Sequence, residues 1–184
     1  PMCGVPFHSA DSYIARLVAK GYKVAICEQL EDPALAKGIV KRDVTRVLTP
    51  GTVIESTMLD ESKNNFLACI FARKDCVGLC FADISTGSVH VTQFERKNSQ
   101  KKIVNELGRF SPSEIIINSS VLELTQVTDF VKTRLQSSCD LLDEECFDLS
   151  KASAMLLKHF HVASLSELKL ENSDGAVCAV GAAM

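Results

Sequence analysis

At 184 residues the chain is long enough for one substantial hydrophobic core or two small ones. Its 46% apolar and 23% charged residues are the balance of an ordinary globular protein and exclude the disordered and collagen-like classes. The net charge of -3 excludes a polypeptide that is basic throughout, so any affinity for nucleic acid has to come from a local cluster of Lys and Arg. No apolar run is long enough to cross a bilayer and no leader-like segment opens the chain, so a cytoplasmic protein is expected. The eight cysteines are scattered, without a CxxC, and read as buried reduced thiols rather than a disulfide framework or zinc site. The start at Pro1 and the apolar finish over 176–184 suggest a piece of a longer polypeptide.

In chain order, Ser9 can cap a helix that carries Tyr13, Ile14, Leu17 and Val18 on one face, and Gly21 supplies a left-handed stop. Two strands are expected over 22–30 and 40–48, joined by an acidic turn at Glu31, Asp32 and Pro33. Residues 53–65 are polar and aperiodic, and a domain boundary is placed there. Beyond it, runs rich in β-branched and aromatic residues predict strands over 66–71, 78–84 and 88–94, separated by tight turns, as an antiparallel meander. A helix over 97–107 turns Ile103, Val104 and Leu107 inward and Lys101 and Lys102 outward. Three consecutive isoleucines suit a strand over 114–118 that is buried on both faces. A helix over 125–136 buries Val127, Phe130, Val131 and Leu135, and a short strand follows over 139–142. The helix over 148–160 buries Ala152, Met155, Leu156 and Phe160, and Ser164 with Glu167 forms a capping-box signature for one further short helix. The order βββαβαβα predicts an α/β unit: three antiparallel strands, then right-handed crossovers that add parallel ones, giving a mixed sheet flanked by helices.

Four cations, Lys37, Lys41, Arg42 and Arg46, stand against Asp43 in the second strand region. Strand periodicity aligns Arg42 with Arg46 and turns Lys41 the other way, an arrangement that suits either a solvated strand face or a phosphate-contacting one. Asp83 ends a predicted strand, where a metal-binding carboxylate would sit in a phosphoryl-cleaving site. Such chemistry needs converging partners, for which only Asp140, Asp143 and Glu106 are available, so a hydrogen-bonding role in the hairpin is favoured. The acidic run Asp140, Asp143, Glu144, Glu145 and Asp148 reads as a solvated loop near a helix start, with a protein-docking patch as its alternative. Neither a nucleophilic triad nor a GxxxxGK[ST] phosphate loop is present.

The passages Cys3-Gly4-Val5-Pro6-Phe7-His8-Ser9-Ala10, Ala25-Ile26-Cys27-Glu28-Gln29 and Thr49-Pro50-Gly51-Thr52, together with the basic run between Lys37 and Arg46, resemble the MutS family of DNA mismatch repair proteins. The resemblance implies four stretches. Residues 1–53 would close the mismatch-binding domain, a partial α+β unit, and 54–65 would be a linker. Residues 66–170 would form a connector domain of ribonuclease H-like fold, and 171–184 would open a helical core domain. It further implies that Lys37, Arg42 and Arg46 contact the DNA backbone. The partners would be mismatched double-stranded DNA, a MutL-type protein and a second copy in a homodimer, with no membrane. ATP and Mg2+ would act on an ATPase domain elsewhere, leaving this stretch without cofactor, metal or catalytic residue of its own. The family's Phe-x-Glu wedge has no counterpart among the nine Phe residues. Two alternatives from other classes stand beside this reading, a metal-dependent nuclease of ribonuclease H-like fold using Asp83 and a plain protein-interaction module.

Overall fold

The computed structural model describes residues 3–32, 38–55, 58–60 and 62–184. A short helical turn, Phe7–Ser9, leads into α1, Ala10–Val18. Ser9 stands at the N-cap, but its hydroxyl donates back to the Pro6 carbonyl (3.1 Å) instead of accepting from the helix. Gly21 closes the helix at φ +82°, its N–H reaching the Val18 carbonyl at 2.8 Å, a conformation that a Cβ would strain. Strands β1 (Val24–Gln29) and β2 (Arg42–Leu48) form an antiparallel two-stranded sheet. With α1 they enclose a small core of Val18, Leu48 and Val53, against which Ile14, Val24 and Ile26 rest. Pro33 of the expected acidic turn lies outside the described residues.

The larger unit is a five-stranded mixed sheet. Strands β3 (Leu67–Ala72), β4 (Cys76–Asp83) and β5 (Ser88–Glu95) make the expected antiparallel meander, and β6 (Glu114–Ile117) and β7 (Ser138–Leu141) add in parallel on the other side of β3. The spatial order is β5-β4-β3-β6-β7. Every residue of β3 is buried, because both faces of this central strand are covered. Ala68, Ile70 and Ala72 meet one core with Ile103 and Leu107 of α2 (Gln100–Phe110) and Val127 and Val131 of α3 (Thr125–Arg134). Cys69 and Phe71, on the alternate positions, meet a second core with Ala152 and Leu156 of α4 (Leu149–Phe160). That second core is completed by α5, Asp174–Ala183, so part of the stretch expected to open a further helical domain lies on this sheet.

Side chains finish what the backbone ladders begin. Asn118, just past β6, accepts from Ala72 N–H and donates to Ala72 C=O, both at 2.9 Å, and so extends the β3–β6 pairing by one side chain. Arg96 donates to the carbonyls of Arg73 and Ser120 and to Glu123, tying three loops together. The chain departs from expectation in several places, and of the eight cysteines expected to be buried Cys3, Cys27, Cys139 and Cys146 are exposed. Helix α2 begins at Gln100 rather than 97 because Asn98 takes φ +63°. Met155 and Phe160 of α4, expected inside, are 37% and 42% exposed. The Ser164/Glu167 box does form, with Glu167 accepting from the N–H groups of Ala163 and Ser164. It caps only turns, which end where Lys169 takes φ +57°.

Candidate nucleic-acid interface

The β1–β2 hairpin carries the basic residues singled out from the sequence, and its register decides which way they point. Ile26 pairs with Arg46, but the next residue, Cys27, pairs with Val44, leaving Thr45 as an extra residue in β2. The bulge corrects the expected alignment. Arg46 shares the face of Ile26 and Leu48, toward the small core, whereas Arg42, opposite Gln29, shares the other face with Val44 and Cys27. Arg46 is moreover engaged in a hydrogen-bonded ion pair with Glu55. Arg42 is exposed on the outer face, beside an exposed Lys41 whose N–H donates to the Glu31 carboxylate at 2.6 Å. Lys37, the third nominated phosphate contact, lies outside the described residues.

The hairpin is fastened to the five-stranded sheet by a polar joint that sequence reasoning did not single out. Glu114, the first residue of β6, is 3% exposed. Its carboxylate accepts from Gly51 N–H (3.0 Å) and from the Thr49 hydroxyl, and so closes the Thr49-Pro50-Gly51-Thr52 turn. A Cβ at Gly51 would stand 2.9 Å from Glu114 Cβ and 3.0 Å from Leu67 Cβ, so only glycine lets the turn approach this closely. Lys23, immediately before β1, reaches Asp140 of β7 at 2.9 Å and Glu114 at 3.8 Å. The hydrogen bond to Asp140 raises the ammonium pKa above its ordinary 10.5, outweighing partial burial, with further help from Glu114. Asn65 completes the joint, donating to the Pro50 carbonyl at 2.9 Å and accepting from the Ser113 hydroxyl at 2.6 Å. The available signal was the acid that opens an otherwise all-isoleucine strand, since a charge entering a buried run needs partners.

Asp83 is 1% exposed and its two oxygens accept from five donors: Asn64 Nδ2, Asn65 N, Ser85 N, Ser85 Oγ and Thr86 N. The carboxylate therefore pins the β4–β5 turn and the approach to β3, as the favoured sequence reading has it. Asp140 lies three strands away across the sheet order, about 14 Å at ordinary strand spacing, and the two acids do not converge. Among the described residues no group of three or more His, Cys, Asp or Glu is disposed to hold a metal ion. Within the acidic run, Glu144 accepts from Asn118 and Ser119, and Asp148 caps α4 by accepting from Lys151 N–H at 2.7 Å. Both read as structural partners. Burial raises the Cys69 thiol well above its ordinary value and pushes Cys80 up to about 12, which keeps these cysteines in the inert protonated form.

Two family models match the chain in tandem: MutS domain I over residues 1–57 and MutS domain II over residues 65–184. The chain belongs to the MutS family. It is 47% identical over 182 residues to the DNA mismatch repair protein MutS of Ruminiclostridium cellulolyticum, covering 99% of this chain and 20% of that protein. It is 51% identical over 180 residues to the MutS protein of Acetivibrio thermocellus, covering 96% and 21%. The chain thus spans about a fifth of the length of the curated relatives it matches. In these MutS terms the hairpin and α1 lie in the domain I match, the five-stranded sheet lies in the domain II match, and the Glu114–Lys23 joint connects the two. Among the described residues no helix is long and apolar enough to cross a membrane.

Proposed function

We propose that this chain acts in DNA mismatch repair as the end of a mismatch-binding domain joined to a connector domain. The parent protein binds mispaired duplex DNA as a homodimer, becomes an ATP-driven clamp and recruits a MutL-type partner. The observation that carries this reading is the tandem match, domain I followed directly by domain II along one polypeptide. The proposed division is 1–53 for the DNA-facing part, 54–65 as linker and 66–184 as a connector of ribonuclease H-like fold, the stretch 171–184 expected to open a core domain being counted with it because α5 completes its second core. The strand order β5-β4-β3-β6-β7, with three antiparallel strands followed by two parallel ones, supports the ribonuclease H-like reading. ATP and Mg2+ act outside these two domains, and no chemical step is assigned to residues 1–184.

Arg42 is the preferred backbone contact, because the outer face of β2 presents it to solvent while Arg46 is held by Glu55. A guanidinium there positions a duplex without reading its sequence. Lys37 keeps its nomination from the family resemblance alone. The joint fits a relay role: it links the hairpin to the sheet through few, directional polar contacts, which can occupy discrete arrangements.

The test is a salt titration of binding to a duplex with a single G·T mispair, using the full-length gene product and its Arg42→Ala variant. The variant is expected to bind several-fold more weakly at low salt, with a log–log salt slope reduced by about one. An unchanged slope removes Arg42 as a phosphate contact, and equal affinity of the parent protein for paired and mispaired duplex removes the mismatch reading.

A further inference from the structure

We propose that the outer edge of β5, with the groove between β5 and α2, takes an extended acidic peptide of a partner protein as a sixth strand of the sheet. Strand β5 is last in the sheet order, and all eight of its residues pair with β4 in an unbroken register. The backbone groups directed away from β4 therefore have no strand partner among the described residues.

Sheet edges are ordinarily guarded by shortness, by Lys or Pro, by bulges or by inward charges. The opposite edge follows that rule: β7 has four residues, with Asp140 among them held by Lys23. In contrast, β5 is eight residues long with no bulge, Lys or Pro, and its one formal charge is the terminal Glu95.

Beside this edge lies a groove of about 270 Å³ whose lining includes Phe81, His90, Phe94, Phe110, Glu106 and Arg109. Phe110 stacks on Phe81 at 4.2 Å between ring centres, and His90 tilts against Phe110 at 5.0 Å, giving an aromatic floor. A groove between an edge strand and a helix is the arrangement in which peptides add by backbone hydrogen bonds and seat alternate side chains in pockets. The rim sets the charge of the occupant. Lys102 lies over the Phe94 ring at 5.6 Å and Arg109 over Phe110 at 5.0 Å. Against them stands Glu106, paired with Arg109 at 3.5 Å, while Glu95 shares the other face of β5 with Val91 and Gln93.

Cations exceed acids on this rim, and because strand side chains alternate between faces this favours a peptide whose acidic residues face α2 while its apolar residues lie beside Val89 and Val91 on the other face. It disfavours a second copy of the chain, because antiparallel β5–β5 pairing about a two-fold axis would bring two cationic rims together. The proposal does not depend on the mismatch-binding role of the hairpin.

The test uses the whole chain and three fluorescein-labelled eight-residue peptides: alternating valine and glutamate, alternating valine and lysine, and the glutamate peptide N-methylated at every second residue. Anisotropy gives affinity and amide chemical shifts give the site. The glutamate peptide is expected to bind with shifts confined to β5 and α2, and the other two to bind at least about tenfold more weakly. A Lys102→Glu/Arg109→Glu double variant with an unchanged circular dichroism spectrum is expected to reverse the glutamate-over-lysine preference. The proposal is overturned by equal binding of the two charge types, by indifference to N-methylation, by shifts away from β5, by self-association of the chain through β5, or by no binding up to about 1 mM.

Discussion

Asp83 and Glu114 are the two acids most completely buried among the described residues, and each is surrounded by N–H and O–H donors. Burial alone would raise the Asp83 carboxyl pKa, but donors from Ser85, Asn64, Asn65 and Thr86 outweigh it and hold the group below its ordinary 3.8. A depressed folded-state pKa means stability that is fully present above the ordinary carboxylate value and lost as pH falls through the folded value. Asp83→Asn puts an amide NH2 where one oxygen met those donors, so a loss of about 2–3 kcal/mol is expected at neutral pH. Urea unfolding checks it, and the gap between variant and parent should narrow as pH drops below 3.8. The role of Asp83 was legible in the sequence from its place before Ser85-Thr86-Gly87. That of Glu114 was not, because its donors come from residues more than sixty positions earlier.

At the level of elements, alternation and turn residues located the meander and the order of crossovers, with ends displaced by a few residues. Strand periodicity failed at one place, the extra Thr45, where a local irregularity moved Arg42 to the face opposite Arg46. Close approach between elements also escaped the pattern. A Cβ on Gly78 of β4 would stand 2.0 Å from the Gly175 carbonyl oxygen, and one on Gly181 would stand 2.4 Å from Ala152 Cβ, so α5 lies nearly in backbone contact with β4 and α4. Gly78→Ala must push α5 off the sheet and is expected to cost about 3 kcal/mol, read from the urea midpoint. Gly108, within α2, has only Phe130 in ordinary contact at 3.6 Å. Gly108→Ala is therefore expected to stabilise by about 0.5–1 kcal/mol through the helix backbone alone. Opposite signs for two Gly-to-Ala changes in one sheet-and-helix unit test the assigned contacts directly.

For the molecule as a whole, the joint decides how the hairpin sits on the sheet. Glu114→Gln removes the charge that faces Lys23 and places a donor against the Thr49 hydroxyl and Gly51 N–H. Amide hydrogens of β1 and β2 are expected to exchange about tenfold faster in this variant, while those of β3 and β4 keep their protection. Equal acceleration throughout would show instead that the two sheets open as one unit. The Lys23 pKa is raised in the folded state, so its contribution is complete below 10.5 and fades as pH climbs through the higher folded value. Hairpin exchange corrected for intrinsic base catalysis should accordingly rise above pH 10.5 in the parent chain and show no such step in Lys23→Ala.

What the sequence determined by itself were properties carried by neighbours along the chain: the strand and helix order, the turn role of Asp83 and the family motifs at Cys3–Ala10 and Thr49–Thr52. Hydrophobic period and turn chemistry act over a few residues, so they can be read without knowing what lies opposite. Tertiary structure alone decided which face Arg42 presents, that Glu114 fastens the Thr49–Thr52 turn, that α5 lies on β4, and that β5 is left as an unguarded edge. Each of these depends on groups remote in sequence meeting at 3–4 Å, and strand register, close backbone approach and edge position exist only once the sheet has assembled.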